Sequence, residues 1–94
     1  METQVTYKTI NDTTAVVVLE IFLRNATCHS FRMVIGDCIV ISRLDRVGEQ
    51  ASMLFRTPEK VMEKFKKFGG IVCDVIAEAR QKSKAQIKKA VTAS

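Results

Sequence analysis

The run Ala15-Val-Val-Val-Leu-Glu-Ile-Phe-Leu-Arg24 decides the fold class. Its odd positions, Ala15, Val17, Leu19, Ile21 and Leu23, are all aliphatic, while the even ones mix Val16 and Val18 with Glu20, Phe22 and Arg24. A period of two puts the first set on a core face and the second on the opposite face of a strand. The β-branched density of Val16 to Val18 favours strand over helix. Upstream, Thr3 to Ile10 alternates in the same way and stops at the turn formers Asn11 to Thr14, which predicts a first, edge-like strand.

Downstream, Asn25-Ala26-Thr27 reads as a turn, and two apolar runs, Cys28 to Ile35 and Cys38 to Leu44, flank Gly36-Asp37. Glycine tolerates the positive φ of a two-residue hairpin, so the spacing predicts Ile35 opposite Cys38, Val34 opposite Ile39 and Arg32 opposite Ile41. In that register Phe31, Met33, Ile35, Cys38 and Val40 share one face, and Arg32, Val34, Ile39, Ile41 and Arg43 share the other. After a turn at Asp45 to Glu49, Gln50 to Arg56 predicts a last short strand.

Thr57-Pro58-Glu59 is a helix start: a side-chain oxygen for an orphan amide, a preset φ, and an acid at the positive dipole end. Val61, Phe65, Phe68, Val72, Val75 and Ala79 then recur at helical spacing, widened by Met62, Ile71 and Ile76. Because the stripe keeps phase through Gly69-Gly70, we expect one continuous or mildly kinked helix. The predicted fold is α+β, an antiparallel four- to five-stranded meander with one long C-terminal helix packed on one face. The domain spans 1–79, and 80–94 forms a basic, helical extension that frays.

A chain of 94 residues with 47% hydrophobic and 27% charged content is one small folding unit, which excludes multi-domain enzymes and extensive disorder. Its longest uncharged stretches fall far short of the ~20 apolar residues that span a bilayer. Three cysteines, with no basic-then-apolar leader near Met1, lead us to expect reduced thiols and an intracellular protein, cytoplasmic or in the nucleoid or nucleus. The triplets at Asn11 and Asn25 then read as turns and not as glycosylation acceptors.

Catalytic constellations are thin. Cys28, His29, Cys38 and Cys73 lack the close ligand pairing of a zinc site, and the single histidine has no orienting partner in view. Asp12, Asp37, Asp45 and Glu49 all fall in predicted turns, and Gly69-Gly70 lacks the remainder of a phosphate loop. We therefore expect no enzyme, no metal and no cofactor.

Basic residues carry more. Residues 1–57 contain six basic and six acidic side chains and 58–79 four of each, so the formal +5 resides in Arg80, Lys82, Lys84, Lys88 and Lys89. Such a segment attracts polyanions without sequence preference. On the sheet, Phe22, Arg24, Arg32 and Arg43, with Arg56 nearby, fall together in the register above, supplying cations for phosphates and a ring for base stacking. The same face holds Val16, Val18, Val34, Ile39, Ile41 and Leu54, too much aliphatic surface to leave wet, so a homodimer or higher oligomer is expected.

Four or five antiparallel strands leading through a capped start into one helix, over Val5 to Ala79, resemble the strand-strand-strand-strand-helix unit of the Pur-alpha repeat, the Whirly proteins and the positive-cofactor-four type. The resemblance lies in element order. It implies a curved sheet that holds single-stranded DNA or RNA and units that pair, with Phe22, Arg24, Arg32, Arg43 and Arg56 in the binding role. The leading expectation is a non-catalytic nucleic-acid-binding homo-oligomer, and the alternative is a homo-oligomeric structural or protein-interaction module without nucleic acid.

Overall fold

The computed structural model describes the chain except Asp12, Arg46 and Ser94, and its side chains except, in addition, those of Thr9, Ile10 and residues 83–93. Five strands, β1 (Glu2–Asn11), β2 (Thr14–Phe22), β3 (Cys28–Ile35), β4 (Ile39–Leu44) and β5 (Met53–Phe55), form one antiparallel meander in chain order. Two helices follow, α1 (Pro58–Lys64) and the long α2 (Gly69–Ala93). The α+β class and the meander order are those expected from the alternation in β2.

Turn chemistry sets the strand ends. Asn11 and Asn25 each accept from the amide two residues on, Thr13 at 2.9 Å and Thr27 at 3.1 Å, the Asx turns that the two Asn-X-Thr triplets predict. Between β4 and β5, Asp45 Oδ1 accepts from the amides of Val47 and Gly48, and Gly48 takes a φ of 133°, a conformation that suits glycine.

The core is the odd-position face of β2 and what packs on it. Val17, Leu19 and Ile21 are fully buried with Phe31 and Met33 of β3 and with Ile39 and Ile41 of β4. Helix α2 lies over β1 to β3 and α1 against β5, contributing Val61, Val72, Val75, Ile76 and Ala79. Fully burying a side chain of this kind stabilises by about 1.5–3 kcal/mol, so this single layer supplies most of the driving force.

The hairpin register differs from the expected one. Ile35 pairs with Ile39, Val34 with Val40, Met33 with Ile41, Arg32 with Ser42 and Phe31 with Arg43, leaving a three-residue connection closed by Gly36 N donating to Cys38 O at 3.0 Å. A slip of one residue exchanges the faces of the whole strand. Ile39 and Ile41 therefore enter the core in place of Cys38 and Val40, and Cys38 sits in the connection. Each extra buried methylene is worth about 0.8 kcal/mol, so two isoleucines outweigh a cysteine and a valine. The expected register would also have turned the Ser42 hydroxyl under the helices, whereas in the structure it is bonded to Ser52 Oγ at 2.7 Å on the opposite face.

The continuous helix expected from Pro58 onward is divided. Thr57 caps α1, its Oγ1 accepting from Lys60 N, and the helix ends at Phe65, whose φ of −106° and ψ of 65° leave the helical region. The break precedes the glycine pair, and two aromatic anchors lie on it. Phe65 meets Phe31 and Phe55 at centroid distances of 5.5 and 5.8 Å, and Phe68 meets Phe31 at 6.4 Å. Gly69 then opens α2 directly against α1, where a Cβ would stand 3.0 Å from Met62 Sδ and 3.2 Å from Met62 Cα, while one at Gly70 would meet nothing within 4 Å.

The two glycines consequently respond in opposite directions. Gly69→Ala is expected to destabilise by about 1–2 kcal/mol, since the backbone of α1 must move. Gly70→Ala is expected to stabilise by about 0.5 kcal/mol through reduced freedom of the unfolded chain. Denaturant unfolding of the two variants checks this, and equal shifts of the same sign would contradict the close approach.

Candidate functional site

Two surfaces emerge once the register is known. On the sheet face away from the helices, directly paired residues align Lys8, Val16, Val34, Val40 and Leu54 in one row across all five strands. The neighbouring row carries Thr6, Val18, Arg32 and Ser42, and the next Gln4, Glu20, Ser30 and Leu44. Leu54 is 60% exposed, and the four valines at 16, 18, 34 and 40 are each partly exposed. Ile39 and Ile41, expected here, are buried under the helices, and Val40 takes their place.

The arginine set predicted for this face is dispersed. Phe22 and Arg24 come together at one corner, where they line a concavity of about 240 Å³ with Met1, Glu2 and Leu23. Arg32 stays on the open face, but its guanidinium is bonded to Glu49 at 3.3 Å. Arg56 stands at the β5–α1 junction beside Leu54, Lys60 and Lys64, around a shallow concavity of about 510 Å³. Arg43 lies on the helix side, opposite Phe31, because the register moves it there.

The basic extension is partly used by the fold. Arg80 donates to Gly36 O at 3.3 Å and ties α2 to the β3–β4 connection. Lys82 pairs with Glu78 at 3.9 Å, and its ammonium sits 3.7 Å from the centroid of the Tyr7 ring, fastening α2 to β1. Lys84, Lys88 and Lys89 lie outside the described side chains.

The second surface gathers residues that sequence spacing did not connect. Arg43 donates to His29 Nδ1 at 2.7 Å, its guanidinium carbon is 5.1 Å from the Phe31 centroid, and the His29 ring lies 4.9 Å from Phe68. Lys67 Nζ stands 5.5 Å from the same Phe68 ring. From Arg56 to Lys67 the chain carries Arg56, Lys60, Lys64, Lys66 and Lys67 against Glu59 and Glu63, and only Lys60 forms an ion pair, with Glu63 at 3.5 Å, among the described residues. The neutral balance of 58–79 therefore hides a basic α1 and turn, offset by Asp74 and Glu78 further along α2. The Lys66-Lys67-Phe68 triplet was the available signal, but its partners Arg43 and His29 depend on a register that spacing alone does not give.

The four residues considered for a metal are separated. Cys28 is exposed on the open face, His29 points to the helix side, Cys38 is in the hairpin connection, and the Cys73 thiol donates to Pro58 O at 3.4 Å. Burial, with Asp74 and Glu59 nearby, pushes the Cys73 thiol above its ordinary range.

Tyr7 is the one strongly perturbed phenol. Its hydroxyl is buried without a hydrogen bond of acceptable geometry, although Glu78 is near enough to disfavour a phenolate. Burial first, and the Glu78 carboxylate second, push it up to about 12. A raised acid keeps its full contribution to stability below the unfolded pKa near 10 and loses it as pH rises through the folded value. Because Tyr7 is the only tyrosine, phenolate absorbance is expected to titrate near 12 in the folded protein. Stability is expected to fall between about pH 10 and 12 more steeply than in Tyr7→Phe. A phenolate midpoint at its ordinary value would show the hydroxyl to be solvated.

Compared with protein-family models, curated proteins and solved structures, the chain matches none.

Proposed function

We propose that this chain is a non-catalytic interaction module that works as a homodimer, with the open sheet face as its contact. The observation that carries this reading is the unbroken aliphatic row Val16, Val34, Val40 and Leu54, flanked by Val18. Two polar groups on the face already have partners within the chain, Ser42 with Ser52 and Arg32 with Glu49, which lowers the cost of covering them. Five strands at about 4.8 Å spacing and some six residues in length offer roughly 500 Å² per copy, or about 1,000 Å² for a pair, near the lower bound of a specific interface. Sheets pack face to face at about 10 Å, and a two-fold axis lets one self-complementary patch close the assembly.

A second reading, binding of single-stranded nucleic acid, draws on a separate observation. Arg43, Lys64, Lys66 and Lys67 make no ion pair among the described residues, and three of them follow α1 or close it. Both readings place the protein inside the cell, where the three free cysteines remain reduced.

Sedimentation velocity across a micromolar concentration series is expected to give the mass of a dimer. Leu54→Lys and Val34→Lys are expected to give monomers with unchanged far-ultraviolet circular dichroism. A wild-type chain that stays monomeric at every concentration would overturn the reading.

A further inference from the structure

We propose that the Arg43 guanidinium, the Lys67 ammonium and the Nε2–H of His29 form a binding site for a phosphate group at the end of the sheet capped by the α1–α2 turn. The inference deepens the second reading above and rests on it, naming the group recognised and the residues that hold it.

The register supplies the first half of the site. Pairing of Phe31 with Arg43, and of Ile21 with His29, puts both polar side chains on the helix side of the sheet, beyond the aliphatic core. Arginine has donors only, so in the 2.7 Å contact His29 Nδ1 must accept. The imidazole in that bond is neutral and carries its proton on Nε2, which leaves a second donor. Arg43 has spent one of its five N–H groups there, and the Phe31 ring lies 5.1 Å from its guanidinium carbon.

The α1–α2 turn supplies the other half. Phe68 is 9% exposed and packs between the sheet and the turn, with the His29 ring at 4.9 Å and the Lys67 ammonium at 5.5 Å from its centroid. Two permanent cations are thus held about one aromatic pair, Phe31 and Phe68, and neither has a carboxylate partner among the described residues. Gathering like charges without a counter-charge raises the folded state's energy, and an anion relieves it. A planar fork, a point charge and a ring N–H together match the several oxygens of a phosphate. The site is on the opposite side of the sheet from the valine row, so dimerisation through that row leaves it open on both copies.

Inorganic phosphate and a short oligothymidylate are the probes, followed by amide shifts in the full chain and by fluorescence anisotropy. Phosphate is expected to shift His29, Arg43 and Lys67 first. The double variant Arg43→Gln, Lys67→Gln is expected to lose about tenfold or more in oligonucleotide affinity, the equivalent of one charge-assisted hydrogen bond. Its salt slope is expected to become shallower by about 0.7, the value for one lost phosphate contact on a single strand. Lys8→Gln, an exposed lysine on the opposite face and toward the other end of the sheet, is the control and should bind as wild type. Lys67→Gln alone, on an exposed side chain, guards against a folding defect from Arg43. Saturable phosphate shifts without oligonucleotide binding would assign the site to a free phosphate or small phosphoester and remove the nucleic-acid reading. Oligonucleotide binding undiminished in the double variant would overturn the site while leaving that reading in place. Absence of both would overturn both.

Discussion

The structure depends on how Phe31 is enclosed. It is fully buried on the central strand, with Phe65 and Phe68 edge-on above it and the Arg43 guanidinium beside it. Edge-to-face pairs of this kind add about 0.5–1.5 kcal/mol beyond the area they bury. Both phenylalanines reach this ring from the segment between the helices, where the chain ends α1 at Phe65, turns, and starts α2 at a residue small enough to lie against Met62. The position of Lys67 over Phe68, and hence the basic end of the molecule, follows from that turn.

The β3–β4 connection is the second constraint, and it shows how one residue of slip redistributes chemistry. A loop of three residues in place of two buries Ile39 and Ile41, aligns Val40 with Val16, Val34 and Leu54, and carries Arg43 to the helix side. The open face becomes less cationic than the alternative register would make it, with Val40 and Ser42 where Ile39, Ile41 and Arg43 were expected. That single change weakens the case for a sheet that stacks bases, and it moves Arg43 to the opposite face of the sheet.

Much of the architecture was legible because it rests on local periodicity. The alternation in β2, the turn residues after β1 and β2 and the capped start at Thr57-Pro58 each carry their own physical reason, and each forms where expected. The candidate site was less legible, since Phe22, Arg24, Arg32, Arg43 and Arg56 were grouped by a strand register that hairpin statistics favour but core burial overrides. Arg80 and Lys82 looked like free charge in a polar stretch, yet they anchor α2 to Gly36 and Tyr7, contacts 44 residues apart in the first case.

The sequence by itself therefore determined the elements, their order and which face of β2 is core, because periods of two and 3.6 are properties of the local backbone. Only the tertiary structure decided the register of β4, the break before Gly69 and the company that Arg43 keeps. Those depend on which side chains compete for the same buried volume, and that competition is settled between residues distant in the chain.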